Sequence, residues 1–214
     1  MRDFMVVSNY NKRINKLFIE WQEHQKKDSG YDSMKSKIAR DSFTTDGAIS
    51  PEDYFSANKR ILVVSKESRI KEGEKFTGEF WLKDVYNDVV PARKFARRIA
   101  MSVKAVIEND FDNVDNDYKN LKYVAFMNLN KRGGHSTCNP DILATYVSEY
   151  HEEIKKEIEI LNPEIIICAG KGVKEQLENI GVKDYRIVET YHPSYFVKSD
   201  KDHLGKLRRE LHDK

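Results

Sequence analysis

The chain has 214 residues, of which 39% are hydrophobic and 34% charged, with a net charge of +2; that suits one ordinary domain plus an extension, with a heavily charged surface. No stretch approaches ~18 uncharged apolar residues, which excludes a transmembrane helix, and the apolar run in MRDFMVVSNYNKR is too short for a signal peptide. Two cysteines, Cys138 and Cys168, exclude a disulfide framework and a four-cysteine zinc or iron–sulfur site, so a reducing cytoplasm is expected.

Residues 1–58 read as an N-terminal helical extension. Ile14, Leu17, Phe18 and Trp21 have helical spacing, Asp28-Ser29-Gly30 stops that helix, and Asp46-Gly47 is a turn signal. The pattern then changes. ILVVS (61–65) is a continuous apolar run of the kind buried on both faces of a sheet. Residues 92–107 have a helical period, with Phe95, Ile99, Val103 and Val106 on one side and Arg93, Lys94, Arg97 and Arg98 elsewhere. The basic block 93–104 and the acidic block 108–117 imply separate charged faces. KYVAFMN (122–128) is a second strand. Asn139-Pro140-Asp141 opens a helix whose apolar stripe runs from Ile142 to Leu161, where Asn162-Pro163 ends it. EIIICAG (164–170) is a third strand, followed by a short helix over 172–179 that Gly181 breaks. YRIVE (185–189) is a fourth.

Strand–helix alternation predicts an α/β fold. The expected form is a three-layer sandwich with a central four-stranded parallel sheet, formed by residues 59–214. Such sheets bind ligands beyond the carboxyl ends of their strands. Four segments therefore converge on one edge: Ser65–Arg69, Asn128–His135, Ala169–Gly172 and Thr190–Tyr195. They hold the Gly, Ser, Asn and His that a polar, phosphate-bearing ligand needs.

Together these segments resemble the uracil-DNA glycosylase superfamily, over roughly residues 58–200. YHPSYF (191–196) looks like the family's His-Pro-Ser leaving-group motif. ILVVSKES (61–68) is similar to its first strand and catalytic turn. VAFMNLNK (124–131) is similar to the strand whose terminal Asn reads a pyrimidine, and LNPEIIICAGKGV (161–173) to its Pro-strand-Gly segment. The first motif departs from the family pattern: Ser65 and Ser68 stand where Gly and Pro are usual, and Glu67 stands where Asp or Asn is usual.

The resemblance implies hydrolysis of the bond between a deoxyribose and its base. The sugar becomes oxocarbenium-like and the base leaves with negative charge. Glu67 would stabilise the sugar and orient a water, and His192 would donate to a base oxygen. The base must first leave the duplex. Asn128 would read its edge, Phe80 or Trp81 would stack on it, and Lys66 stands beside it. Lys66 is also open to phosphate contact, acid pairing or imine formation. Ser68, Arg69, Ser194, Lys131, Arg132, Arg93 and Arg97 would hold the DNA backbone, and Tyr195 would wedge into the vacated stack. DNA is thus the expected partner and a monomer the expected state. No cofactor is implied, and His135, His151, His203 and His212 show no metal-ligand spacing.

The departures at Ser65, Glu67 and Ser68 favour a modified or damaged pyrimidine alongside uracil. A phage-modified cytosine would make the protein an antiviral factor. Two other classes stand beside this reading. An esterase would need a Gly-x-Ser-x-Gly elbow, which is missing, and Gly170-Lys171-Gly172 is too short for a phosphate-loop fingerprint. A catalytically inactive DNA-binding module on the same fold stays open.

Overall fold

The computed structural model describes residues 2–28, 41–70, 75, 77–134 and 137–212. Helix α1 (Arg2–Lys27) buries Tyr10, Ile14, Leu17, Phe18 and Trp21 on one stripe. Ser29 and Gly30 of the expected stop signal lie outside the described residues, as does His135. Two short strands follow, β1 (Phe43–Thr45) and β2 (Gly47–Ala48), in a stretch expected to be helix and loop. Then come α2 (Pro51–Ser56), β3 (Ile61–Arg69), β4 (Thr77–Glu79), α3 (Leu82–Tyr86) and α4 (Lys94–Glu108). A 3-10 turn (Tyr118–Tyr123) leads into β5 (Val124–Gly134), α5 (Pro140–Glu149) and α6 (His151–Leu161). Last are β6 (Ile165–Ala169), α7 (Val173–Asn179), β7 (Arg186–Thr190) and α8 (Asp200–His212).

The four anticipated strands are present and mutually parallel, in the order β5-β3-β6-β7. The sheet has five strands, not four. Strand β2 pairs antiparallel with the outer edge of β5, Gly47 opposite Phe126 and Ala48 opposite Ala125. Two residues are too few to show any period, so the sequence carried no signal for this strand. Strands β1 and β4 form a separate parallel pair. The single helix expected from Asn139 to Leu161 is two helices, because the backbone leaves helical geometry at Tyr150 (φ −101°, ψ 26°). The apolar stripe survives the break: Tyr146, Tyr150, Ile154 and Ile158 all reach one core.

Alternate residues of each strand feed two cores, because successive side chains point to opposite faces. Leu62, Val64, Ala125, Met127, Ile166 and Cys168 pack against α1, α5, α6 and α7. Ile61, Val63, Val124, Phe126, Ile165 and Ile167 pack against α3, α4 and α8. Ile61, Leu62 and Val64 are fully buried, so truncating Leu62 to Ala would cost ~2–5 kcal/mol. The central strands are thus packed on both faces, which fixes where their carboxyl ends lie. Strand β3 runs past the predicted Ser65 to Arg69, with a register shift against β5 between Glu67 and Arg69. Strand β5 runs past the predicted Asn128 to Gly134.

Candidate active site

A cavity of about 490 Å3 opens at the carboxyl ends of β3, β5 and β7, within the ~300–1,000 Å3 usual for small-molecule sites. Its wall contains Glu67, Ser68, Arg69, Phe80, Trp81, Arg93, Asn128, His192 and Ser194, all foreseen from the sequence. Ser65, Lys94 and Phe95 line it as well. The segment after β6 contributes indirectly. Gly170 has φ +113°, and a Cβ there would sit 3.4 Å from the Cβ of His192. A residue without a side chain lets the β6 turn pack against the backbone that carries the imidazole.

The parallel register puts Ser65 beside Asn128 and Glu67 beside Asn130. Glu67 Oε2 accepts from Asn130 Nδ2 at 3.0 Å. The carboxylate lies flat on the backbone of Gly134, where any Cβ would overlap it. Nearby Cys138 has its thiol pushed up to about 12, first by burial and then by the Glu67 charge. The sequence offered no sign that Asn130 and Gly134 orient this carboxylate, since the contact depends on β5 continuing beyond Asn128.

His192 Nδ1 accepts the backbone N–H of Ser194 at 3.2 Å. A neutral ring then carries its proton on Nε2. The residue is solvent-exposed at the cavity mouth, yet its ring lies 5.6 Å from that of Phe95. This partial burial, followed by the charge of Lys66, holds the imidazole below its ordinary pKa. The site therefore presents an uncharged N–H donor at neutral pH.

Asn128 is almost wholly buried. Its backbone N–H donates to Asp46 Oδ2 at 2.7 Å, and its Nδ2 lies 3.2 Å from Ser68 Oγ and 3.4 Å from Asp46 Oδ2. Asp46 went unremarked in the sequence beyond its turn signal. It reaches Asn128 because β2 docks on β5 immediately after it.

The aromatic wall is a cluster. Phe80 stacks on Phe126 with ring centroids 4.5 Å apart and planes 4° apart. Trp81 and Phe95 are 5.6 Å apart. Phe80 is buried, whereas Trp81 and Phe95 are half-buried and line the cavity with it. Phe95 was expected only as a core residue of α4.

Two expected DNA contacts are corrected. Lys131 is fully buried and ion-paired with Asp46 and with Glu157 Oε2, the latter at 2.8 Å. It faces Phe18 and Trp21 because it continues the alternation of Met127 and Leu129 toward the α1 core. Burial alone would lower its pKa, but the Asp46 and Glu157 charges win and raise it. Burial raises Glu157 well above the carboxylate range. Arg132 is also buried, donating to Asp28 Oδ2 at 3.1 Å, the Gln25 carbonyl and Tyr150 Oη. Neither side chain reaches a backbone phosphate from there.

Other expected residues stand outside the cavity wall. Lys66 is half-buried and acts on His192 through its charge. Arg97 donates to the carbonyls of Ala92 and Asn116 and faces a neighbouring groove. Tyr195 is 43% exposed, beside Phe196 at 82%. Arg98, part of the basic face 93–98 expected to meet the DNA backbone or solvent, is instead buried beneath this loop. It donates to the carbonyls of Pro193 (3.2 Å), Tyr195 (2.8 Å) and Lys198, and pairs with Asp200 at 2.6 Å. It fixes the loop that carries His192. Among the described residues no group of three or more His, Cys, Asp or Glu could hold a metal, and no helix is long and apolar enough to cross a membrane.

Residues 52–212 match the model of the family described as the Uracil DNA glycosylase superfamily. That is three quarters of the chain, and the chain belongs to this superfamily. A search of curated proteins found no match.

Proposed function

We propose that this member of the uracil-DNA glycosylase superfamily draws a pyrimidine out of DNA into the cavity and hydrolyses its N-glycosidic bond, leaving an abasic site. The observation that carries the reading is convergence. One carboxylate, one neutral imidazole, one amide, an aromatic wall and a rim of Arg69, Arg93 and Lys94 line a single cavity at the sheet edge.

The chemistry follows from the charges. As the C1′–N bond stretches, positive charge grows on the sugar and negative charge on the base. Glu67, oriented by Asn130, stabilises the sugar and positions the water that attacks C1′. His192 donates its Nε2–H to a base oxygen as charge develops there, which is worth ~3–4 kcal/mol of barrier. Asn128 reads the base edge, and Phe80 and Trp81 supply the platform. Ser68 and Ser194 join the basic rim in holding the flanking phosphates. Phe196, more exposed than Tyr195 and braced through the same loop, serves as the wedge into the vacated stack.

The substrate we favour is a modified pyrimidine, uracil or a 5-substituted cytosine, with removal of a phage-modified base as the biological setting and a cytoplasmic monomer as its form. Test oligonucleotides should carry uracil or 5-substituted cytosines, with alkali revealing abasic sites. Glu67→Gln and His192→Ala should slow cleavage by about 10²-fold or more while DNA binding remains; a wild-type protein that cleaves none of them would sink the glycosylase reading. Borohydride trapping would reveal any imine at Lys66. A second reading is favoured by the contact of Glu67 with Asn130 and Gly134, which gives the carboxylate a structural task. It makes the protein a DNA-binding module without turnover.

A further inference from the structure

Asp46 is a buried acid outside the cavity wall, and the reaction above gives it no task. Its Oδ2 takes the backbone N–H of Asn128 at 2.7 Å and lies 3.4 Å from the side-chain nitrogen of the same residue. A carboxylate oxygen that takes these N–H groups accepts, so the amide turns its NH2 toward Asp46. The second hydrogen of that NH2 goes to Ser68 Oγ at 3.2 Å. Both amide hydrogens are thereby spent on protein, and Oδ1 is the atom left for a ligand. Lys131 ion-pairs with Asp46 from behind.

We infer that Asp46 is a positioning residue that makes Asn128 an acceptor-only reader, so the pocket selects a base by one edge N–H and takes 4-amino as well as 4-oxo pyrimidines. The inference rests on the proposal that a flipped base occupies this cavity. Uracil offers N3–H to Oδ1, and cytosine offers its N4 amino group. Reading a 4-carbonyl would need a donor, and the amide has none to spare. Discrimination between the two classes of base falls to the rest of the cavity.

The test is equilibrium binding of single-stranded oligonucleotides, in which pairing strength plays no part. Each carries one hydrolysis-resistant 2′-fluoroarabino nucleotide bearing uracil, cytosine or 2-pyrimidinone, the last having no edge N–H. Wild type should bind uracil and cytosine within about threefold of each other. It should bind 2-pyrimidinone about fivefold more weakly or worse, the worth of one hydrogen bond. Ser68→Ala frees one amide hydrogen without touching the buried ions, and should shift the uracil-to-cytosine ratio about fivefold toward uracil. Any lost phosphate contact affects both bases equally. Asp46→Asn, if it folds, should shift the ratio the same way.

Equal binding of all three bases, or an unchanged ratio in Ser68→Ala, overturns the inference. The readout needs no cleavage. If the pattern holds but no oligonucleotide is ever cut, the glycosylase reading fails and the acceptor-only reader stands. If cutting occurs without the pattern, the reverse is true.

Discussion

Asn128 and Lys131 stand three residues apart on β5 and face opposite ways. Asn128 shares the face of Phe126 and looks into the cavity; Lys131 shares the face of Met127 and is sealed under α1. The start of α4 repeats the contrast, with Arg93 exposed at its N-cap on the cavity rim and Arg98, inside the helix, buried beneath the loop that follows β7. Positive charge alone therefore does not mark a DNA surface here. On the strand, position in the alternation decides whether a cation meets solvent or completes a buried ion pair; on the helix, the loop packed over it decides.

The largest expected effect tests the buried side. Lys131→Met removes the cation and leaves Asp46 and Glu157 facing each other, which should cost about 3–5 kcal/mol in denaturant unfolding. A variant of native stability with weakened DNA binding would reverse the comparison. Next comes the cavity side. His192→Ala should slow base excision by about 10²–10³-fold at unchanged thermal stability, measured in single turnover.

A third effect concerns pH. His203 is buried against Ser102, and burial, then the charge of Arg98, holds its pKa at about 4. The unfolded chain takes up this proton near ~6.5. Stability from the neutral ring is thus complete above that pH and drains as pH falls toward the folded value, by at most about 3 kcal/mol. Unfolding followed from pH 7 to 4 should show this slope, and His203→Gln should flatten it. The smallest effect sharpens the rim. Arg93→Ala should leave stability unchanged and lower the salt slope of DNA binding by about one.

The four parallel strands were legible because each is a short unbroken apolar run with turn signals at its ends. The cavity wall was legible where the carboxyl-end rule and the family resemblance coincide, at Glu67, Asn128 and His192. What the sequence hid is non-periodic or tertiary. Strand β2 is two residues long, and with it Asp46 stayed hidden as the partner of Asn128. Residues 129–134 have the composition of a loop but form the end of a strand, which is how Lys131 and Arg132 were misplaced. Phe95 and Arg98 lie on a helix whose period is clear, yet which neighbours it meets depends on where the β7 loop folds back.

The grip of Arg98 on three carbonyls and on Asp200 has a consequence for engineering. Backbone shape at this turn is held from below by one guanidinium, with the Tyr195 N–H on the His192 carbonyl and the Ser194 N–H on His192 Nδ1, and none of these bonds uses the side chains of residues 195–197. Tyr195, Phe196 and Val197 are in that sense detachable fittings on a fixed mount, suited to grafting and randomisation while the scaffold stays as it is.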